Sequence, residues 1–106
     1  MPKYLLEANY TPEGLRGLLK DTATGREDRI KEMLNAAGGK LESMHFGIGK
    51  TDVFVICELP DLATCTALAM AVSASGVVQI RTTPLLTSAE TDAAIRKGVI
   101  YRPPGS

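Results

Sequence analysis

The chain has 106 residues, and its twelve basic and twelve acidic side chains give a formal net charge of zero at pH 7. This length corresponds to one domain. The balanced charge, without an arginine-rich run or a set of aromatic residues for base stacking, argues against nucleic acid as a partner. No stretch reaches the roughly 18 apolar residues of a membrane span, and the N-terminus lacks the apolar block of a signal peptide. We therefore expect a cytoplasmic protein that binds neither nucleic acid nor a membrane.

The first third of the chain predicts one strand followed by an interrupted helix. Residues 3–10 favour a strand because they are rich in aromatic and aliphatic side chains. A helix opens next, since Thr11 can cap it and Pro12 fits its first position. Small polar residues at 21–25 interrupt this helix, which resumes over residues 26–37 and ends at a pair of glycines.

Two further strands, at residues 40–46 and 52–59, are joined by the segment Gly47-Ile48-Gly49-Lys50-Thr51. Two glycines spaced by one residue beside a strand end predict a tight hairpin or a bulge. The segment lacks the full spacing of a phosphate-binding loop and lies between two strands rather than before a helix. We therefore reject nucleotide binding here.

The remainder of the chain predicts a helix, a strand and a short final helix. The first of these helices is capped by Asp61 and runs to about Ser75, with unusually small side chains along it. The fourth strand covers residues 77–83 and ends before Pro84. The final helix spans residues 88–97, where acidic residues come early and basic residues late, as the helix dipole favours.

This element order predicts the fold class. Strand, helix, strand, strand, helix, strand is the ferredoxin-like βαββαβ pattern of an α+β protein, in which an antiparallel sheet carries its helices on one face. We expect one such domain over residues 1–98, including the extra C-terminal helix. Residues 99–106 should form an extended tail, because Pro103-Pro104 stiffens them.

The third strand indicates that the sheet has a partner. Val53, Val55 and Cys57 alternate with Phe54 and Ile56, so this strand is apolar on both faces. A layer of helices can cover only one face, and a monomer would leave the other face both apolar and exposed to water. We therefore expect a homo-oligomer, a dimer or a multiple of dimers, in which two sheets pack face to face as a dimeric α/β barrel.

Four short segments, in this order and spacing, resemble the GYD-domain family, small bacterial proteins of the dimeric α/β-barrel group. The resemblance runs from about Tyr4 to Thr83. The segments are Tyr10-Thr11-Pro12-Glu13-Gly14-Leu15, Gly38-Gly39-Lys40, Gly49-Lys50-Thr51-Asp52 and Glu58-Leu59-Pro60-Asp61.

The resemblance implies a ferredoxin-like fold and a dimer, but no particular reaction. The wider barrel group includes cofactor-free oxygenases, small isomerases and haem-handling proteins, so the fold does not define a function. The chain departs from the family pattern just before the hairpin aspartate, where the family usually has an aromatic residue and this chain has Thr51. Any role of that aromatic beyond packing is therefore missing here.

Polar residues on the first and fourth strands form the first candidate site. Glu7 and Asn9 share one face of the first strand, which is central in this fold and neighbours the fourth strand that carries Arg81. One interpretation is a ligand-binding patch, in which the Arg81 guanidinium holds a small polar or anionic ligand. The other is a Glu7–Arg81 ion pair that is structural or joins two subunits and fixes their register.

His45 and Tyr10 complete the set of candidate site residues. His45 is the only histidine, and its ordinary pKa near neutrality suits a general base or a hydrogen-bond donor to a ligand. The alternative is a surface histidine without a role. Tyr10 ends the first strand and could roof a ligand pocket. One histidine without further ligands at suitable spacing gives no reason to expect a metal, and nothing in the sequence calls for a cofactor.

Three functions remain open at this stage. The first is an oligomeric binding protein with a small organic ligand in a cavity, between sheet and helices or at the dimer seam. The second is a cofactor-independent oxygenase or isomerase that acts on a small cyclic or aromatic compound, with His45 as base. The third is a structural or regulatory partner protein whose tail docks on a neighbour. Cys57 and Cys65 are expected to be buried, reduced thiols rather than nucleophiles.

Overall fold

The computed structural model describes all residues from 1 to 106. Its elements, in chain order, are β1 (Lys3–Tyr10), α1 (Pro12–Asp21), α2 (Ala23–Ala36), β2 (Lys40–Phe46), β3 (Val53–Glu58), α3 (Leu62–Ala74), β4 (Val78–Leu85) and α4 (Ser88–Lys97). The four strands form one antiparallel sheet in the order β2-β3-β1-β4. This is the ferredoxin-like arrangement, so the predicted fold class is confirmed, with β1 central and β4 beside it. None of the helices is long and apolar enough to cross a membrane.

The predicted interruption of the first helix is a single residue rather than five. Helix α1 ends at Asp21 and α2 already begins at Ala23, so only Thr22 separates them. Thr22 has a φ of 70°, which a β-branched residue rarely adopts. Its backbone N–H donates to the Leu18 carbonyl, while its hydroxyl accepts a hydrogen bond from the Gly25 N–H at 3.2 Å. Thr22 thus ends one helix and caps the next.

Strand β4 continues through Pro84, where the sequence predicted its end. Pro84 lies opposite Tyr4 in the β1–β4 register. Strand β4 is at the edge of the sheet, where one side of the strand has no neighbour and a missing N–H can be tolerated. The position of the strand in the sheet, which the sequence does not show locally, therefore explains the difference.

The helices cover one face of the sheet and enclose the core with it. Along β3, Val53, Val55 and Cys57 are buried against the helices, whereas Phe54 points away from them and is 39% exposed. The strand is thus apolar on both faces, as predicted, and one face has no cover within the chain. The buried core consists of Tyr4, Leu6, Leu34, Val53, Val55, Cys57, Leu59, Cys65 and Leu68.

The two cysteines belong to this core and are not bonded to each other, as predicted. Burial, together with the neighbouring Cys65 sulfur, raises the pKa of Cys57 to about 11. Burial also raises the pKa of Cys65. Both side chains therefore stay protonated at neutral pH and serve as small apolar groups.

The start of α1 contacts the backbone of Val77, the residue just before β4, and this contact fixes the position of the helix. The backbone N–H and the hydroxyl of Thr11 both donate to the Val77 carbonyl, at 3.0 and 3.2 Å. The Thr11 hydroxyl also accepts from the Gly14 N–H at 3.2 Å. A Cβ at Gly14 would overlap the same Val77 carbonyl oxygen. Glycine is therefore required at this point for steric reasons.

We expect Gly14→Ala to destabilise the fold by about 1–3 kcal/mol, the usual cost of overpacking. Gly17→Ala is the matched control in the same helix, because a Cβ there meets nothing within 4 Å. It should instead stabilise the protein by about 0.4–1 kcal/mol by restricting the unfolded chain. Urea unfolding of both variants measures the two effects, and equal stabilities would contradict the steric explanation.

Candidate functional site

The alternation of side chains along β1 divides the candidate residues between two faces of the sheet. Glu7 and Asn9 point to the face without helices, called here the open face. Tyr10 points to the helix side, where it lines a cavity. The candidate residues therefore belong to two separate sites, which are described in turn.

On the open face, the strand register places three candidate side chains and Phe54 in one row across the sheet. His45 of β2 lies opposite Phe54 of β3, Phe54 opposite Glu7 of β1, and Glu7 opposite Arg81 of β4. Neighbouring strands are about 4.8 Å apart, so His45 and Glu7 are separated by roughly 10 Å with Phe54 between them. The structure brings Glu7 and Arg81 together and leaves His45 apart from them. His45 is exposed, and its role as a base stays a prediction.

Thr51 joins Glu7 to Arg81. Its hydroxyl donates to Glu7 Oε2 at 3.3 Å and accepts a hydrogen bond from Arg81 Nη2 at 3.1 Å. The expected Glu7–Arg81 pair is thus bridged rather than direct. Thr51 is only 8% exposed and is the one buried polar residue of the chain.

Two more hydrogen bonds fasten the hairpin between β2 and β3 to the end of β1. The Asn9 side-chain amide donates to the Lys50 carbonyl at 2.8 Å. The Asp52 carboxylate accepts from the Tyr10 backbone N–H at 3.0 Å, which ties it to β1 rather than to its own turn. Glu7 and Asn9 therefore hold the hairpin over one end of the open face. The guanidinium of Arg81 uses one donor on Thr51 and keeps others for a further partner.

On the helix side, a cavity of about 80 Å³ lies between the sheet and helices α2 and α3. Its wall is apolar except for one residue, Arg26. The strands contribute Leu6, Ala8, Val53, Val55 and Ile80, and the helices contribute Ile30, Met33, Leu68 and Val72.

Tyr10 and Arg26 stand at the mouth of this cavity. Both line the cavity and also an outer cleft that includes Glu13 and Asp21. Burial raises the pKa of Tyr10, and the neighbouring Arg26 guanidinium only partly offsets this effect. The phenol is therefore protonated at neutral pH, so the mouth of an apolar cavity presents hydroxyl and guanidinium hydrogen-bond donors.

Sequence reasoning missed two of the residues that shape these sites, Thr51 and Arg26. The hydrogen bonds of Thr51 form only because the hairpin between β2 and β3 meets β1 and β4, which the sequence does not show locally. Arg26 lies on a helix among other charged residues, and nothing local distinguishes it from Arg29, which is exposed. The chain has no group of three or more His, Cys, Asp or Glu side chains arranged to hold a metal ion.

Comparison with known families agrees with this architecture. The sequence model of the GYD domain matches residues 4–95, most of the chain, and the chain therefore belongs to the GYD domain family. The predicted resemblance is confirmed, and the match extends beyond Thr83 into α4. No curated protein and no solved structure matches the chain.

We expect Thr51→Val to destabilise the protein by about 1–2 kcal/mol, because the Glu7 carboxylate and the Arg81 guanidinium lose their common partner. Thr82→Val is the matched control, since Thr82 is an exposed threonine of β4 that lies on the helix side, away from the open face. Its effect should stay within about 0.5 kcal/mol. Urea unfolding measures both variants, and equal effects would show that the bridge contributes nothing to stability.

Proposed function

We propose that this member of the GYD domain family is a homodimeric binding protein that holds a small, largely apolar organic molecule between its sheet and helices. The cavity is the observation that supports this function most directly. Its volume of about 80 Å³ exceeds the roughly 15 Å³ that one water requires, yet its wall offers ordered water almost no polar partner. An apolar molecule of matching size is the occupant that such a wall favours.

The mouth of the cavity indicates the chemical class of the ligand. The Arg26 guanidinium can hold a carboxylate through two parallel hydrogen bonds, and the protonated Tyr10 phenol can donate to the same group. A ligand with an apolar ring or short chain and one acidic group would place its apolar part inside. Its charged oxygens would then meet these donors, beside the outer cleft. This chemistry supports Tyr10 as a ligand-binding residue and adds Arg26 as a second one.

The open face of the sheet supports the homodimer. Phe54 is 39% exposed, and Leu5 and Ile56 lie beside each other on the same face without helices over them. A second copy packed there would remove these side chains from water. The Glu7–Thr51–Arg81 bridge lies in the same surface, where the remaining Arg81 donors could fix the register of the two sheets.

Benzoate and toluene test the cavity as a matched pair of probes, one with and one without a carboxylate. In ¹H–¹⁵N NMR titrations, both should shift the amides around the cavity saturably. Arg26→Gln should weaken benzoate binding about tenfold, a loss of ~1.4 kcal/mol, and leave toluene binding nearly unchanged. Arg29→Gln, which changes an exposed arginine on the same helix, is the control and should alter neither.

Ala8→Leu provides the complementary test, because it extends a side chain into the cavity and should abolish binding of both probes. Unchanged binding to this variant would show that the probes bind elsewhere. Absence of saturable shifts in the unmodified protein would contradict the ligand-binding function itself.

Sedimentation equilibrium tests the homodimer. Phe54→Lys places a charge in the centre of the open face and should raise the dimer dissociation constant by about tenfold or more. Leu19→Lys is the control, because Leu19 is 75% exposed on α1, away from that face. A monomeric unmodified protein, or an unaffected Phe54→Lys variant, would contradict the sheet-to-sheet dimer.

A further inference from the structure

We infer that residues 86–106, called here the C-terminal arm, clasp the second copy of the chain in the proposed homodimer. The arm consists of the link after β4, helix α4 and the terminal tail. This inference rests on the proposed dimer and adds a second contact surface to it.

Beyond the first turn of α4, the arm is not packed against its own chain. Helix α4 has no buried residue, and Ile95, Val99, Ile100 and Tyr101 are 71%, 88%, 94% and 65% exposed. The radius of gyration is 16.7 Å, where a compact chain of this length would have about 13 Å. The molecule is correspondingly elongated, with extents of 54 × 34 × 23 Å. Leu86, at 62% exposed, is a fifth large apolar side chain of the arm in water, and such a projecting apolar segment favours a partner surface.

The ends of α4 are nevertheless defined in detail by local interactions. Thr87 and Glu90 form a reciprocal capping box, with hydrogen bonds of 3.1 and 2.9 Å. Gly98 ends the helix in the left-handed conformation, and basic residues occupy the last turn. Isolated helices shorter than about 12–15 residues are only marginally stable in water, and α4 has ten. Burial of Ile95, and of the apolar residues that follow α4, would add to the stability that these caps provide.

The position of the arm indicates that its partner surface is the second copy of the chain. The first turn of α4 borders a cleft formed with the end of the open face, where Thr87 and Glu90 lie near Lys3 and Ile56. A copy seated on the open face would therefore lie directly beside the arm. Because a two-fold axis relates both copies in a closed dimer, each arm would reach the body of the other.

The arm would add apolar area to the surface that the open face offers to a second copy. Ile95, Val99, Ile100 and Tyr101 are 71%, 88%, 94% and 65% exposed, so their burial would contribute to the roughly 800 Å² that a standard interface buries on each partner.

The test substitutes lysine for Ile95, Val99 and Ile100 together in the full-length chain. Only Ile95 lies in α4, and lysine is a good helix former, so the helix keeps its propensity and its caps while the arm loses three apolar side chains. In sedimentation equilibrium, this triple variant should raise the dimer dissociation constant about tenfold or more relative to Leu19→Lys. Amide hydrogen exchange gives a second readout, in which residues 88–97 should be protected in the dimer and unprotected in the Phe54→Lys monomer.

The outcomes separate the arm from the dimer. If the triple variant dimerises with the same affinity as the unmodified protein, the arm does not hold the second copy. The sheet-to-sheet dimer would still stand in that case. Protection of residues 88–97 in the Phe54→Lys monomer would show that the arm folds onto its own chain, which also overturns the clasp. A monomeric unmodified protein would overturn both proposals together.

Discussion

The central position of β1 is the constraint on which the rest of the structure depends. Hydrogen-bonded to β3 on one side and β4 on the other, β1 contributes to both faces of the sheet along its whole length. Tyr4 and Leu6 anchor the helices, and Leu5 and Glu7 face away from them. A shift of β1 by one residue would exchange these two sets, bury a carboxylate in the core and expose an aromatic ring. One strand thus determines where the core, the cavity and the open face lie.

The two faces of the sheet also carry different sets of functional groups. The helix side offers an apolar chamber with two donors, Tyr10 and Arg26, at its mouth. The open face offers apolar area crossed by a hydrogen-bonded chain from Glu7 through Thr51 to Arg81. The first arrangement suits a small ligand and the second suits another protein surface. Because the sheet lies between them, occupancy of one does not obstruct the other.

Much of the fold could be predicted from the sequence because its signals are local. Asp61 caps the start of α3, early acidic and late basic residues indicate α4, and alternation in β3 shows that both faces are apolar. The misplaced end of β4 and the overestimated interruption before α2 have another origin. Pro84 is tolerated because β4 is an edge strand, and Thr22 can join two helices because its hydroxyl caps the second. Arg26 was missed because its place at the cavity arises only from packing.

The buried sulfur atoms of Cys57 and Cys65 have a practical consequence for work with this protein. Burial raises the pKa of both thiols, so they stay protonated at neutral pH, and neither side chain is accessible from solution. Maleimide and similar thiol reagents would therefore react with neither native cysteine in the folded protein. A single cysteine introduced on the surface can therefore carry a spin label or fluorophore without removal of the native cysteines, so the core need not be altered for labelling experiments.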